Sequence, residues 1–252
     1  MSARPDLARR LLAELLGSAL LAAVVVGSGI AAQRLSPDDT GLQLLENAAA
    51  TATGLFAIIL MFGPVSGAHF NPVVSLVDAA FGGLPFRDAL AYVPAQVVGC
   101  IGGAVLANGM FAEAAISIST THRATGAHLL AEVVATAGLL LVIFSLARTG
   151  RGATAPAAVG AYIGAAYFFT SSTSFANPAS SIGRMFSDTF AGIAPASVPA
   201  YVAAQLVGGA GAILLIRALH PDVTPAEAAD VVVPHDGRPQ TAPSSTSGGL
   251  VS

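Results

Sequence analysis

The chain has 252 residues, of which 54% are apolar and only 10% charged, with a mean hydropathy of +0.72. Soluble domains carry roughly 25% charged residues, so a water-soluble globular fold is excluded and a polytopic membrane protein is indicated. The net charge of −3 says little by itself, whereas the placement of the cations, all eleven of them arginine, says more.

Apolar runs fall at about 11–31, 44–63, 86–110, 127–147, 153–173 and 198–218, each near the ~20 residues that span a bilayer. Arg9-Arg10 before the first run resemble the start of a signal peptide, but the run is long enough to span and carries Glu14, so cleavage is not expected. The second run leads to Asn71-Pro72-Val73 and the fifth to Asn177-Pro178-Ala179. Proline in the first turn of a helix loses no hydrogen bond, and an Asn before it caps the freed amides. A half-helix, too short to cross, is therefore predicted at each triplet. Cys100, alone and inside a span, reads as packing and excludes an internal disulfide. The segment 220–252, rich in Pro, Ser, Thr and Gly, reads as a disordered tail, and 1–10 as a short N-terminal arm.

Six spans place both termini on one side. Arg4, Arg9, Arg10, Arg87, Arg148, Arg151, Arg217 and Arg238 then share that side, leaving Arg34, Arg123 and Arg184 on the other, so the termini are read as cytoplasmic. The chain also repeats itself. Residues 91–99 (AYVPAQVVG) and 200–208 (AYVAAQLVG) agree at seven of nine places, and Ala13-Glu14 is echoed by Ala131-Glu132. Two units, about 11–110 and 127–218, thus make a channel-like body over 11–219. Three spans per unit is an odd number, so the second unit enters the membrane inverted. The half-helix starts then meet near the midplane, where aligned peptide dipoles oppose cations and the Asn amides with backbone carbonyls serve a neutral polar solute. Gly67, Gly82, Gly83, Gly99, Gly103, Gly208 and Gly209 suit close helix contacts.

With His69-Phe70-Asn71-Pro72-Val73 and Phe175-Ala176-Asn177-Pro178-Ala179 in place, residues from about 7 to 218 resemble the aquaporin and glycerol-facilitator (major intrinsic protein) family. The resemblance implies an all-α bundle of six transmembrane helices and two re-entrant half-helices, one pore per subunit, and a homotetramer in a bacterial inner membrane. Asn71, Pro72, Val73, Asn177, Pro178 and Ala179 would form its central constriction. Glu14 and Glu132, each followed four residues later by a hydroxyl (Ser18, Thr136), look like the family's supports for the re-entrant loops, with His69 as a loop-stiffening hydrogen bonder.

Members usually carry an arginine three residues after the second Asn, where this chain has Ser180. Ungapped comparison from the triplets puts Thr51, Ala165 and Ser174 at the other filter positions, a small and neutral set that implies a wide pore. Arg184, four residues after Ser180, is a candidate basic lip at the outer mouth; pairing with Asp188 or snorkelling is the alternative. Asp78 holds the same offset in the first half-helix and is expected at the opposite mouth. The solutes implied are small uncharged polyols such as glycerol, or neutral metalloids such as arsenous acid, with water as companion, because the chain is similar to arginine-free bacterial members linked to arsenic handling. An ordinary water or glycerol channel is the alternative, and an inverted-repeat secondary transporter a further one. No cofactor, metal, nucleic-acid partner or enzymatic activity is expected: no Ser/His/Asp set, metal-ligand cluster or phosphate loop gathers in the sequence.

Overall fold

The computed structural model describes residues 5–221, and the expected tail, apart from its first two residues, lies outside the described residues. Eight α-helices occur among them: α1 (Leu7–Leu35), α2 (Thr40–Ser66), α3 (Pro72–Ala80), α4 (Phe86–Met110), α5 (Gly126–Arg148), α6 (Ala155–Phe169), α7 (Pro178–Gly183) and α8 (Val198–Leu219). Side-chain caps start several of them. Asp6 accepts from Arg9 N at 2.8 Å, Asp39 from Leu42 N at 2.9 Å, and Thr125 from His128 N, each satisfying one of the amides that a helix start leaves open. α2 stops at Gly67, whose φ of +91° is a left-handed conformation that glycine adopts without a Cβ clash.

Helices α1, α2, α4, α5 and α8 are each long and apolar enough to cross a membrane. The fifth predicted span comes out shorter than expected. α6 has 15 residues and ends at Phe169, about 22 Å at 1.5 Å per residue. The apolar run was expected to continue to 173, but Thr170, Ser171, Ser172 and Thr173 offer the backbone competing hydroxyls. Thr170 bonds back to the Ala166 carbonyl at 2.6 Å, and Thr173 sits at φ +60°.

Packing follows the twofold organisation. α4 lies on α1 and α8 lies on α5 through small residues: a Cβ at Gly99 or Gly103 would strike the Leu15 or Ala19 backbone, and one at Gly208 would sit 2.6 Å from the Val133 carbonyl. In a bilayer, where lipid is as apolar as the helices, such close backbone approach is a main source of association. At one end of the bundle Arg10 pairs with Asp88 at 2.7 Å, and Arg148 and Arg217 both approach the Phe81 ring. At the other end Arg34 pairs with Glu113 at 2.7 Å, and the 111–125 segment bonds to the chain after α7 through Ser119 N to Met185 O and Ala194 N to Thr121 O. Cys100 is buried against Ala22 and Ala179, a packing position as the sequence suggested.

Candidate functional site

α3 and α7, with 9 and 6 residues, are too short to cross and begin at the two Asn-Pro triplets. Each Asn caps its own helix and reaches across to the other loop. Asn71 Oδ1 accepts from Val73 N at 3.0 Å, while its Nδ2 donates to the Ala176 carbonyl at 2.7 Å. Asn177 Oδ1 accepts from Ala179 N and Ser180 N, and its Nδ2 donates to the Phe70 carbonyl at 2.8 Å. One amide hydrogen on each Nδ2 is left for a guest.

The loops leading into the triplets hang from the buried acids. Glu14 accepts from His69 N, Phe70 N, Ser66 Oγ and Gln96 Nε2. Glu132 accepts from Phe175 N, Ala176 N and Gln205 Nε2. Gln96 also donates to Ser75, and Gln205 to Ser181, so each acid ties a loop, a half-helix and a span together. A carboxylate buried in this way is tolerated because its oxygens are saturated with donors. Ala68, Phe70, Ser174 and Ala176 have φ of +46° to +52°, a conformation that costs non-glycine residues roughly 1–2 kcal/mol each. The carbonyls of Ala68, Ser174 and Phe175 accept nothing from the described residues.

A cavity runs from Arg184 past both asparagines to Ala155. Its room of about 80 Å³ holds about half a dozen waters at the ~10–15 Å³ each requires. The spans supply an apolar wall, including Leu55, Leu139, Ile143 and Val159, and the loops supply a polar strip. His69 lies in this wall, with Nδ1 3.0 Å from Ser75 Oγ and Nε2 3.6 Å from Asp78 Oδ2.

The structure revises several filter expectations. Thr51, Ser174 and Ser180 line the cavity, but Ala165 faces outward, exposed, and Tyr167 takes its place. Two residues along a helix are about 200° around it, so a count off by two puts the side chain on the opposite face. The wall is not uniformly small: Tyr167 OH lies 3.0 Å from Thr51 Oγ1, and Phe175 lies beside Arg184. Arg184 neither pairs with Asp188 nor projects outward. It is 3% exposed, lines the cavity, donates from Nε to the Ala191 carbonyl and stacks its Cζ 3.4 Å from the Phe175 centroid. α7 ends at Gly183 and a tighter 3-10 turn follows over Arg184–Phe186, which keeps the arginine in the wall. Asp78 is buried behind His69 rather than set in the cavity wall.

Tyr167 and the apolar wall were missed by reasoning from the triplets, although a signal existed. Ala155, Val159, Ile163 and Tyr167 recur every four residues and form one face of α6. Arg123, in the segment before α5, counts in the sequence only toward sidedness, yet it donates to the Gly192 and Phe190 carbonyls, and burial lowers its pKa from the ordinary value.

Five helices long enough to cross, with α6 and two opposed half-helices packed around a lined cavity, define a membrane channel fold built from two repeated halves. The profile of the family described as Major intrinsic protein matches residues 1–193. The chain is 49% identical over 212 residues to aquaglyceroporin AqpS of Rhizobium meliloti, covering 84% of this chain and 90% of that protein. It is 32% identical over 270 residues to the glycerol uptake facilitator protein of Pseudomonas aeruginosa, covering 89% and 95%. Among solved structures, the aquaglyceroporin from Plasmodium falciparum superposes with a TM-score of 0.67 at 20% identity, over 86% of this chain and 98% of that one. The chain belongs to the major intrinsic protein family.

Proposed function

We propose that the protein is a passive channel for small uncharged hydroxylated solutes, glycerol-like polyols and neutral metalloid hydroxides such as arsenous acid, with water as companion. The observation that carries this reading is the crossed pair Asn71 to Ala176 O and Asn177 to Phe70 O. It fixes two helix starts tip to tip, with one free amide hydrogen each and unpaired carbonyls alongside. Such a strip replaces the hydration of a neutral guest, while the opposed dipoles disfavour a cation. A polyol has a hydroxyl edge and a hydrocarbon edge, which suit the polar strip and the apolar wall respectively. Asn71, Pro72, Val73, Asn177, Pro178 and Ala179 form the constriction in this reading. Thr51, Tyr167, Ser174 and Ser180 form the filter, with Glu14, Glu132 and His69 as its scaffold. Similarity to an aquaglyceroporin and to a glycerol facilitator supports it.

In the same proposal the channel body is 11–219, both termini are cytoplasmic, and four copies assemble in a bacterial inner membrane. The tyrosine and phenylalanine in the wall favour a second reading, a glycerol channel with a filter narrower than the sequence suggested. Proteoliposome swelling with water, glycerol and arsenous acid tests both. Strong water preference without glycerol or arsenous acid flux overturns the proposal, and accumulation of solute against a gradient establishes a transporter instead.

A further inference from the structure

Phe175 lies between two guanidiniums, with Arg184 Cζ 3.4 Å and Arg123 Cζ 5.4 Å from its centroid. Neither arginine is in an ion pair among the described residues. Arg123 spends Nε and Nη2 on the Gly192 and Phe190 carbonyls, whereas Arg184 spends only Nε, on Ala191. A guanidinium has five N–H groups. The four on the terminal nitrogens of Arg184 therefore have no acceptor among the described residues, although the residue is 3% exposed and borders the cavity. The acids nearby are engaged elsewhere: Glu132 with the Phe175 and Ala176 amides and Gln205, and Asp188 with Thr120. Two further donors in the same wall also lack partners. Ser174 and Ser180 are 4% and 5% exposed, and neither hydroxyl makes a hydrogen bond among the described residues.

A buried cation without a counter-charge is unfavourable in a weakly polar surround, and a neutral solute leaves that charge uncompensated. A small oxyanion compensates it and accepts from the hydroxyls as well. Beyond this point the wall turns apolar at Leu55, Val159 and Ile143, where a charged guest loses its hydration with little in return. We propose that Arg184 with Ser174 and Ser180 is a binding station for one small oxyanion, and that its occupancy occludes the conduit to neutral solutes. The charge state of the guest, not its size alone, then decides whether it passes or stops.

The test compares full-length wild type with Arg184→Ala, Arg184→Lys and Ser180→Ala at fixed ionic strength, with sodium gluconate replaced stepwise by sodium nitrate. Two measurements are made: glycerol-driven swelling of proteoliposomes, and thermal unfolding of the purified protein in detergent. Wild-type flux is expected to fall by the factor 1 + [nitrate]/Kd, about threefold at twice the Kd, and its Tm to rise over the same range. Arg184→Ala should lose both nitrate responses, Arg184→Lys should keep part, and Ser180→Ala should shift the midpoint upward. Equal flux and Tm in nitrate and gluconate for wild type, an undiminished response in Arg184→Ala, or a nitrate-carried current overturns the proposal. The flux measurement rests on the channel reading above. Absence of glycerol flux in gluconate defeats that reading alone, while the Tm comparison still decides the anion station.

Discussion

Tyr167 of α6 and Thr51 of α2 join hydroxyls at 3.0 Å beside the conduit, both buried. The contact ties α6 to α2 in the cavity wall, and in the proposed reading it sets the width of the passage at that level. Tyr167→Ala should therefore admit longer polyols, raising erythritol flux relative to water several-fold, whereas Tyr167→Phe should keep the width and lose only the hydroxyl pair. Stopped-flow light scattering with a size series of polyols checks this, and an unchanged size cutoff in Tyr167→Ala contradicts it.

The acids predict a stability effect. Glu14→Ala removes the acceptor for two loop amides, Ser66 and Gln96 in one step. Leaving a neutral donor buried and unpaired costs about 1–3 kcal/mol each. Thermal unfolding in detergent should show a large fall in Tm for Glu14→Ala and for Glu132→Ala, accompanied by lost solute flux. A Tm within a degree or two of wild type would show that the loops stand without them.

Helix contacts offer a paired comparison. Gly208→Val places side-chain atoms against the Val133 carbonyl and Thr136, while Gly211→Ala meets nothing within 4 Å. Overpacking of this kind typically costs about 1–3 kcal/mol. Gly208→Val should reduce folded yield and Tm, and Gly211→Ala should leave both unchanged, as fluorescence-detected size exclusion can record.

Ser180→Arg places a guanidinium at the position where the family resemblance leads one to expect it. Ser180 is in the cavity wall one turn from Arg184, so the variant crowds two like charges into one level. Glycerol flux should fall more than water flux; equal reduction of both would argue that Ser180 does not set the width.

What the sequence revealed and what it hid divide along one line. The triplets, the paired acids and the 91–99/200–208 echo are local chemistry repeated twice, and each could be read without knowing how the helices rotate. Ala165 was reached by counting back from Asn177, which takes no account of the rotation of α6 or of the break at Thr170. Only the packed bundle decides which side of α6 faces inward. The same holds for Arg184: its spacing from Ser180 suggested one face, but the turn after Gly183 decides whether that face meets the cavity or the solvent.

The reciprocal asparagine bonds carry a consequence for how the molecule is made. Among the described residues Asn71 Nδ2 donates to Ala176 O and Asn177 Nδ2 to Phe70 O, so the first loop, held within its own half by Glu14 and Gln96, still lacks its crossed partner until the second half is made. That crossed pair closes only with residues more than a hundred positions apart. The contact belongs to both halves at once, so a chain cut before Asn177 has no means of forming it.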